Sequence, residues 1–200
     1  MAISGTDARL GLELPTRVTA AVSAAHAADF GNSCRPEQGR LLMALAAGAE
    51  RIGESGTGCG VGLAWLASGM RPSARAVSVE REAARVAVAT ELFADDPRVT
   101  VEQAEWTRLH DFAPFDLLVL DGGGQGKDGS PPADPTRLLT PGGVLVMDDF
   151  APATAWPPLH AGRPDAARIH WLQHPELRTI EIPLAPDAAT LVCVRRHPER

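Results

Sequence analysis

Apolar and polar residues follow one another along this chain in blocks that predict helices and strands in turn. Short apolar runs predict buried strands, and apolar residues spaced three or four apart predict helices. Two helices come first, over about 14–28 and from Pro36 to a stop near Gly48. The strands predicted next are Glu50–Glu54, Ala74–Val79, Val99–Glu102, Phe115–Leu120 and Val144–Met147, with helices over Val61–Ser68 and Glu82–Phe93 between them.

The C-terminal part has a different pattern. A helix is predicted over Arg163–Gln173, followed by strands over Leu177–Leu184 and Ala189–Arg195. The few residues between these two strands are too short for a parallel crossover, so we expect the strands to pair antiparallel. The proline-rich segments Ser130–Pro135 and Ala151–Pro164 are predicted to be loops. Alternating strands and helices at this spacing predict an open α/β sandwich.

Composition narrows the class of protein. A chain of 200 residues predicts a single domain, which we divide into N-terminal helices (1–48) and an α/β core (49–200). The net charge of −6 makes nucleic-acid binding a weaker hypothesis, and no apolar run is long enough for a membrane span. Three widely spaced cysteines and the absence of a signal-like N-terminus favour a cytoplasmic protein without a disulfide framework.

The strongest chemical signal is the glycine-rich segment Glu54-Ser55-Gly56-Thr57-Gly58-Cys59-Gly60-Val61-Gly62. It follows a predicted strand and begins a predicted helix, which is where open α/β sheets bind ligands. Glycines there allow sharp turns and let a ligand approach the bare backbone. The spacing fails the dinucleotide pattern GxGxxG in either frame, which disfavours a nicotinamide enzyme. The alternative is a glycine-rich turn without a ligand.

Acidic residues end several of the predicted strands. Glu80 could accept hydrogen bonds from both hydroxyls of a ribose, or it could be an exposed strand-end acid. Asp121, Asp148 and Asp149 follow two buried strands whose carboxyl ends converge, so these carboxylates are predicted to lie together. Such carboxylates favour Mg²⁺, Ca²⁺ or Mn²⁺. Alternatively, Asp121 faces a positive centre of the ligand while the other two cap the next loop.

Together these residues resemble the class I S-adenosylmethionine-dependent methyltransferases, and among them the small cation-dependent O-methyltransferases related to catechol O-methyltransferase. The resemblance covers roughly residues 30–196, with Ser33–Leu42 similar to the helix that covers the cofactor. It implies a Rossmann-like doubly wound sheet of about seven strands, parallel except for an antiparallel C-terminal strand, with helices on both faces. The cofactor-binding residues that it implies are Glu54, Gly56, Gly58, Gly60, Gly62, Glu80, Arg81, Ala104, Glu105, Trp106 and Asp121.

The same resemblance implies a metal site of Asp121, Asp148 and Asp149, and it shows two departures. Asp149 stands where the family usually has asparagine, which adds a negative charge. Gly124 stands where the family often has a catalytic lysine, and Lys127 follows three residues later. We therefore predict catalytic roles for Asp121, Asp148 and Lys127, with a solvent-exposed loop lysine as the alternative for Lys127. Without a metal, the base could be Asp148, Asp149, Lys127 or His160.

The predicted function is transfer of a methyl group from S-adenosylmethionine to a hydroxyl oxygen of a small molecule, with assistance by Mg²⁺ left open. Two alternatives are a tRNA methyltransferase on the same fold and a non-catalytic cofactor-binding protein. Members of such families are often dimers, which leaves a homodimer open. Trp156 is predicted either to cover an aromatic acceptor or to fix its own loop.

Overall fold

The computed structural model describes residues 13–127 and 129–198 of the chain. The helices are α1 (Thr16–Ala27), α2 (Pro36–Ala46), α3 (Val61–Gly69), α4 (Ala83–Leu92), a 3₁₀ helix (Trp106–Asp111), α5 (Pro135–Leu138) and α6 (Ala166–Leu172). The strands are β1 (Arg51–Ser55), β2 (Arg75–Glu80), β3 (Val99–Gln103), β4 (Phe115–Leu120), β5 (Leu139–Phe150), β6 (Leu159–His160), β7 (Arg163–Pro164), β8 (Leu177–Ala185) and β9 (Ala188–Arg195). Residues 1–12 of the predicted N-terminal unit lie outside the described residues, and the division at 48 stays a prediction.

Seven of the described strands form one sheet in the order β3-β2-β1-β4-β5-β9-β8. Strands β1 to β5 pair in parallel, whereas β9 is antiparallel to both β5 and β8. The β8–β9 hairpin pairs Leu177 with Arg195 at its open end. The strand order reverses between β1 and β4, which is the position where such sheets bind ligands. The predicted sheet, with its antiparallel C-terminal strand, is confirmed.

Helices cover both faces of the sheet, as the uniformly apolar strands predict. On one face α1 to α4 pack over a core that includes Trp65. On the other face the 3₁₀ helix, α5 and α6 contribute Leu109, Leu138 and Trp171. The Trp171 indole donates a hydrogen bond to the backbone oxygen of Gln125 at 2.7 Å, which satisfies its one polar group.

The segment Ala151–Pro164 was predicted to be a loop, and this is wrong at its C-terminal end. Strands β6 and β7 pair antiparallel around a two-residue turn, Ala161-Gly162. These two residues have φ angles of 48° and 76°, the left-handed conformation that tight hairpin turns require. The signal is weak in the sequence because Ala161 stands where asparagine or glycine would be expected.

Two short helices begin where capping residues allow them to. The predicted helix over Arg163–Gln173 begins only at Ala166, because Arg163 and Pro164 form β7 and the Asp165 side chain accepts a hydrogen bond from the Arg168 backbone. Helix α5 begins at Pro135, which was predicted to end a loop. The Asp134 side chain caps it by accepting from the Thr136 backbone at 2.8 Å.

Two further properties of the described residues concern cysteines and membranes. Cys34, Cys59 and Cys193 are all free thiols. Cys59 is buried in the glycine-rich loop. In the described part of the chain no helix is both long and apolar enough to cross a bilayer.

Candidate functional site

A cavity of about 640 Å³ opens at the carboxyl ends of the parallel strands. Ten of the sequence-predicted site residues line it, so the fold brings most of the predicted cofactor and metal residues to one place. These lining residues are Gly56, Gly58, Glu80, Arg81, Ala104, Glu105, Trp106, Asp121, Asp148 and Asp149.

The loop between β1 and α3 forms the floor of this cavity. Gly56, Gly58 and Gly60 have φ angles of 88°, 53° and 90°, which disfavour any side chain. A Cβ at Gly56 would lie 2.4 Å from the backbone nitrogen of Gly122, in the loop after β4. The two loops therefore approach each other backbone to backbone, and bare main chain faces the cavity at Gly56 and Gly58.

Glu80 ends β2 with its carboxylate held by backbone groups on two sides. One oxygen accepts a hydrogen bond from the Gly58 backbone at 2.9 Å, and the other accepts from the Glu82 backbone at 3.0 Å. Its side chain is only 6% exposed, so the alternative of an exposed strand-end acid is wrong. A carboxylate offers about four lone-pair positions, which leaves acceptor positions for a ligand.

Glu54 lies beneath the glycine-rich loop instead of in the cavity wall. Ser78 donates a hydrogen bond to its carboxyl group, and the residue is 3% exposed. Burial raises the pKa of Glu54 to about 8, because the Ser78 hydrogen bond only partly offsets the loss of water and nearby Asp148 adds repulsion. Below that pH the carboxyl group is mostly protonated in the folded chain.

Replacing Glu54 with glutamine is expected to flatten the pH dependence of stability. The folded pKa of Glu54 lies above its unfolded value, so its contribution is complete below about pH 4.5 and is lost as pH rises through about 8. The loss is up to about 1.4 kcal/mol per pH unit in this window. Urea unfolding of the unliganded wild type and of Glu54→Gln at about pH 5 and pH 8 measures it. An equal fall in both proteins would contradict the account.

Asp121, Asp148 and Asp149, here called the acidic trio, do lie together as predicted. One carboxylate oxygen from each residue lies within 4.8 Å of the other two. Burial, followed by the charges of Asp148 and Asp149, raises the pKa of Asp121 well above its usual range. Burial and the charge of Asp149 raise the pKa of Asp148 to about 6. The part of these pKa shifts that comes from mutual repulsion is one that a divalent cation among the three residues would offset.

Lys127 contacts the backbone of one member of the acidic trio. Its ammonium group donates a hydrogen bond to the backbone oxygen of Asp148 at 3.1 Å and lies 4.5 Å from the centre of the Phe150 ring. Lys127 is half-buried, so the alternative of a solvent-exposed loop lysine is wrong. It is not part of the cavity wall, and its predicted role as a base stays a prediction.

Other predicted residues also lie outside the wall. A Cβ at Gly60 would lie 3.2 Å from the Leu92 side chain, so Gly60 faces α4. A Cβ at Gly62 would lie 2.7 Å from the Glu54 carboxyl oxygen, so Gly62 makes room for that buried acid. Trp156 is 61% exposed and does not line the cavity. Contacts of Glu54, Gly60 and Gly62 with a cofactor remain predictions.

The cavity wall contains residues that reasoning from the sequence did not single out. Phe30 covers the glycine-rich loop, since a Cβ at Gly58 would lie 2.8 Å from its ring, and Arg85 lies 4.8 Å above the same ring. The Arg35 guanidinium contacts both carboxylate oxygens of Asp187 at 3.2 Å, which joins the start of α2 to the β8–β9 turn. The strand and glycine pattern carries no signal for these contacts, because they join segments far apart in the chain.

Buried polar atoms without partners also concentrate at this cavity. In residues 13–127 and 129–198, six buried side-chain atoms lack a hydrogen-bond partner, and five of them belong to residues of the cavity wall. These five are Arg35 Nε, Glu37 Oε2, both amide atoms of Gln38 and Asp148 Oδ1, and the sixth is Arg195 Nε. Buried polar groups normally find partners, so this concentration indicates a surface built to contact a ligand.

Solved structures of other proteins identify the fold. An O-methyltransferase from Bacillus cereus in complex with S-adenosylhomocysteine matches with a TM-score of 0.71 at 19% identity, over 93% of this chain and 94% of that one. The O-methyltransferase TomG from Streptomyces achromogenes, in complex with S-adenosylmethionine, matches with a TM-score of 0.71 at 22% identity, over 93% and 92%. The chain therefore has the Rossmann-like fold of the class I methyltransferases, which confirms the fold that its sequence predicted.

Sequence comparison finds a relative that is also named an O-methyltransferase. A protein from Mycobacterium tuberculosis (strain ATCC 25618 / H37Rv), named a probable O-methyltransferase, is 33% identical over 132 residues. The matched region is 60% of this chain and 58% of the relative, so the chain spans less than two thirds of that relative's length. No family model matches the chain. The similarity to O-methyltransferases agrees with the resemblance noted from the motifs.

Proposed function

We propose that this chain transfers a methyl group from S-adenosylmethionine to a hydroxyl oxygen of a small molecule. The observation that carries this proposal is a single cavity with two kinds of wall. The glycine-rich loop and Glu80 form one part, and the acidic trio forms the other. The name of the mycobacterial relative supports methyl transfer to oxygen, and the ligands of the two solved structures support the choice of cofactor.

The residues of the first part fit the nucleoside and amino-acid groups of S-adenosylmethionine. When bound, this cofactor supplies a methyl group carried by a positively charged sulfur. Glu80 would accept hydrogen bonds from the ribose hydroxyls with its remaining lone pairs. The first backbone N–H groups of α3 would face the carboxylate of the cofactor. The adenine ring would lie between Ala104, Glu105 and Trp106.

The acidic trio fits a divalent cation such as Mg²⁺. All donor atoms are carboxylate oxygens, and buried Asp148 Oδ1 has no hydrogen-bond partner in the described residues. A cation held there would lower the pKa of the acceptor hydroxyl and orient it. Lys127 would fix the backbone of Asp148 through its hydrogen bond and so position this ligand. The three acids would hold the acceptor oxygen close to the methyl group, which is the main contribution expected from the protein.

The size and charge of the cavity favour a small acceptor over a nucleic acid. Its volume of about 640 Å³ lies in the range of small-molecule sites, with the cofactor taking part of it. The acidic trio and Asp187 line the end away from Glu80, and the net charge of the chain is −6. Carboxylates there would repel the phosphates of an RNA, unlike the basic surfaces that bind nucleic acids.

Turnover with an acceptor panel tests this function. We expect the protein to form S-adenosylhomocysteine from S-adenosylmethionine only when a phenol, catechol or alcohol acceptor is added. The rate should fall at least about 100-fold when EDTA replaces Mg²⁺, because the cation activates the hydroxyl. Cofactor binding without turnover on any acceptor would favour a non-catalytic binding protein. Turnover on tRNA alone would favour the RNA methyltransferase alternative.

A further inference from the structure

Gln38 is a buried polar residue whose carboxamide has no hydrogen-bond partner among the described residues. It lies in the first turn of α2 and is 3% exposed. Neither the oxygen nor the nitrogen of its carboxamide has a hydrogen-bond partner in the described part of the chain, although the residue lines the cavity. A buried amide without partners destabilises the folded state, so a residue serving only the fold would not be expected to keep it.

The packing of α2 places its first turn beside α3 and the β1–α3 loop. A Cβ at neighbouring Gly39 would lie 2.2 Å from the Trp65 indole, so α2 packs closely on α3 at this point. Cys34, just before α2, lies 3.7 Å from the Cβ position of Gly62, near the start of α3. The start of α2 therefore lies beside the β1–α3 loop. The strand order places that loop between Glu80, at the end of β2, and the acidic trio, at the ends of β4 and β5.

The neighbouring polar groups on this turn already have opposite charges close by. Arg35 forms an ion pair with Asp187 at 3.2 Å and lies 3.7 Å from the Glu37 carboxylate. Gln38 is the neutral group of the set, and it offers one acceptor oxygen and one donor nitrogen side by side. A ligand group that matches it must present a donor and an acceptor together.

We infer that Gln38 binds the α-amino-acid end of S-adenosylmethionine, an assignment that rests on the proposed function. The Gln38 oxygen accepts a hydrogen bond from the ammonium group of the cofactor, and the Gln38 nitrogen donates one to its carboxylate. Both bonds involve a charged partner, which makes them stronger than bonds between neutral groups. Gln38 is therefore a specificity residue that distinguishes the complete cofactor from nucleosides lacking the amino acid.

Calorimetric titration with two ligands tests this inference. S-adenosylhomocysteine has the amino-acid end, whereas 5′-methylthioadenosine has the same nucleoside and sulfur without it. Gln38→Met replaces the amide with an apolar group of similar shape. We expect it to weaken binding of S-adenosylhomocysteine at least about tenfold and to leave binding of 5′-methylthioadenosine unchanged. Gln173→Met, at an exposed position after α6, is the matched control and should change neither.

The melting temperature of the unliganded protein gives a second readout. We expect Gln38→Met to raise it by about 2 °C or more, because the variant no longer buries an unpartnered amide. Unchanged S-adenosylhomocysteine binding, an equal loss for both ligands, or a lower melting temperature would overturn the role of Gln38. If the folded wild type binds neither ligand, the proposed function fails and the inference fails with it. If the wild type binds S-adenosylhomocysteine and Gln38→Met binds it equally well, only the inference about Gln38 is overturned.

Discussion

Replacing Asp148 with alanine is expected to lower the rate of methyl transfer at least about 100-fold and to remove calorimetric binding of Mg²⁺. Asp148 is the member of the acidic trio with a buried oxygen that has no hydrogen-bond partner within residues 13–127 and 129–198, so its loss would remove a ligand atom available to the cation. Stabilisation of a developing oxygen anion by a metal ion contributes several kcal/mol, which corresponds to this factor in rate. The measurement is turnover at saturating cofactor together with a Mg²⁺ titration.

Two variants make the comparison specific. Asp95→Ala removes an exposed aspartate after α4 that is paired with Arg17, and it should leave turnover and Mg²⁺ binding unchanged. Asp149→Asn keeps an oxygen ligand and removes one negative charge, so it should retain most of the activity. Wild-type turnover and Mg²⁺ binding in Asp148→Ala would show that the acidic trio does not hold a catalytic cation.

Replacing Glu80 with alanine is expected to weaken binding of S-adenosylhomocysteine at least about 100-fold. The carboxylate would make hydrogen bonds with both ribose hydroxyls, each worth about 1.5–3 kcal/mol because one partner is charged. The same change removes the acceptor for the Gly58 backbone, which loosens the loop that faces the ligand. Calorimetry measures the loss directly.

Glu82→Ala is the matched control for this prediction. It also removes a glutamate side chain, but at an exposed position two residues after Glu80. The backbone N–H of residue 82 remains and still donates its hydrogen bond to Glu80. We expect wild-type affinity in this control and a cooperative melting transition in both variants. Equal affinities of Glu80→Ala and wild type would show that Glu80 does not contact the ligand.

The parts of the site that lie at strand ends could be predicted from the sequence. The apolar runs over Phe115–Leu120 and Val144–Met147 are followed directly by acids, and parallel strands bring such ends to one edge. The meeting of Asp121, Asp148 and Asp149 then depends only on strand order. The glycine-rich loop was predictable for a similar reason, because its spacing between a strand and a helix is local.

Contacts between distant segments could not be predicted in this way. Gln38 lies on α2, and the pattern of polar and apolar residues shows that this helix is half-buried. That pattern does not indicate which side-chain atoms lack a hydrogen-bond partner. The ion pair of Arg35 with Asp187 joins two segments at opposite ends of the chain, and the turn residues near Asp187 predict only a connection. The contact of Lys127 with Asp148 depends on the conformation of the glycine-rich segment 122–126. Glycines allow this segment many conformations, so the sequence does not indicate where it places Lys127.

Calorimetric titration of the folded wild type with S-adenosylhomocysteine tests the central claim most directly. The claim is that the cavity over β1, β2, β4 and β5 binds the cofactor of a methyltransferase. We predict one binding site per chain with a micromolar or tighter dissociation constant, independent of Mg²⁺. The absence of binding by a protein that melts cooperatively would contradict the claim, and the glycine-rich loop with Glu80 would then require a different ligand.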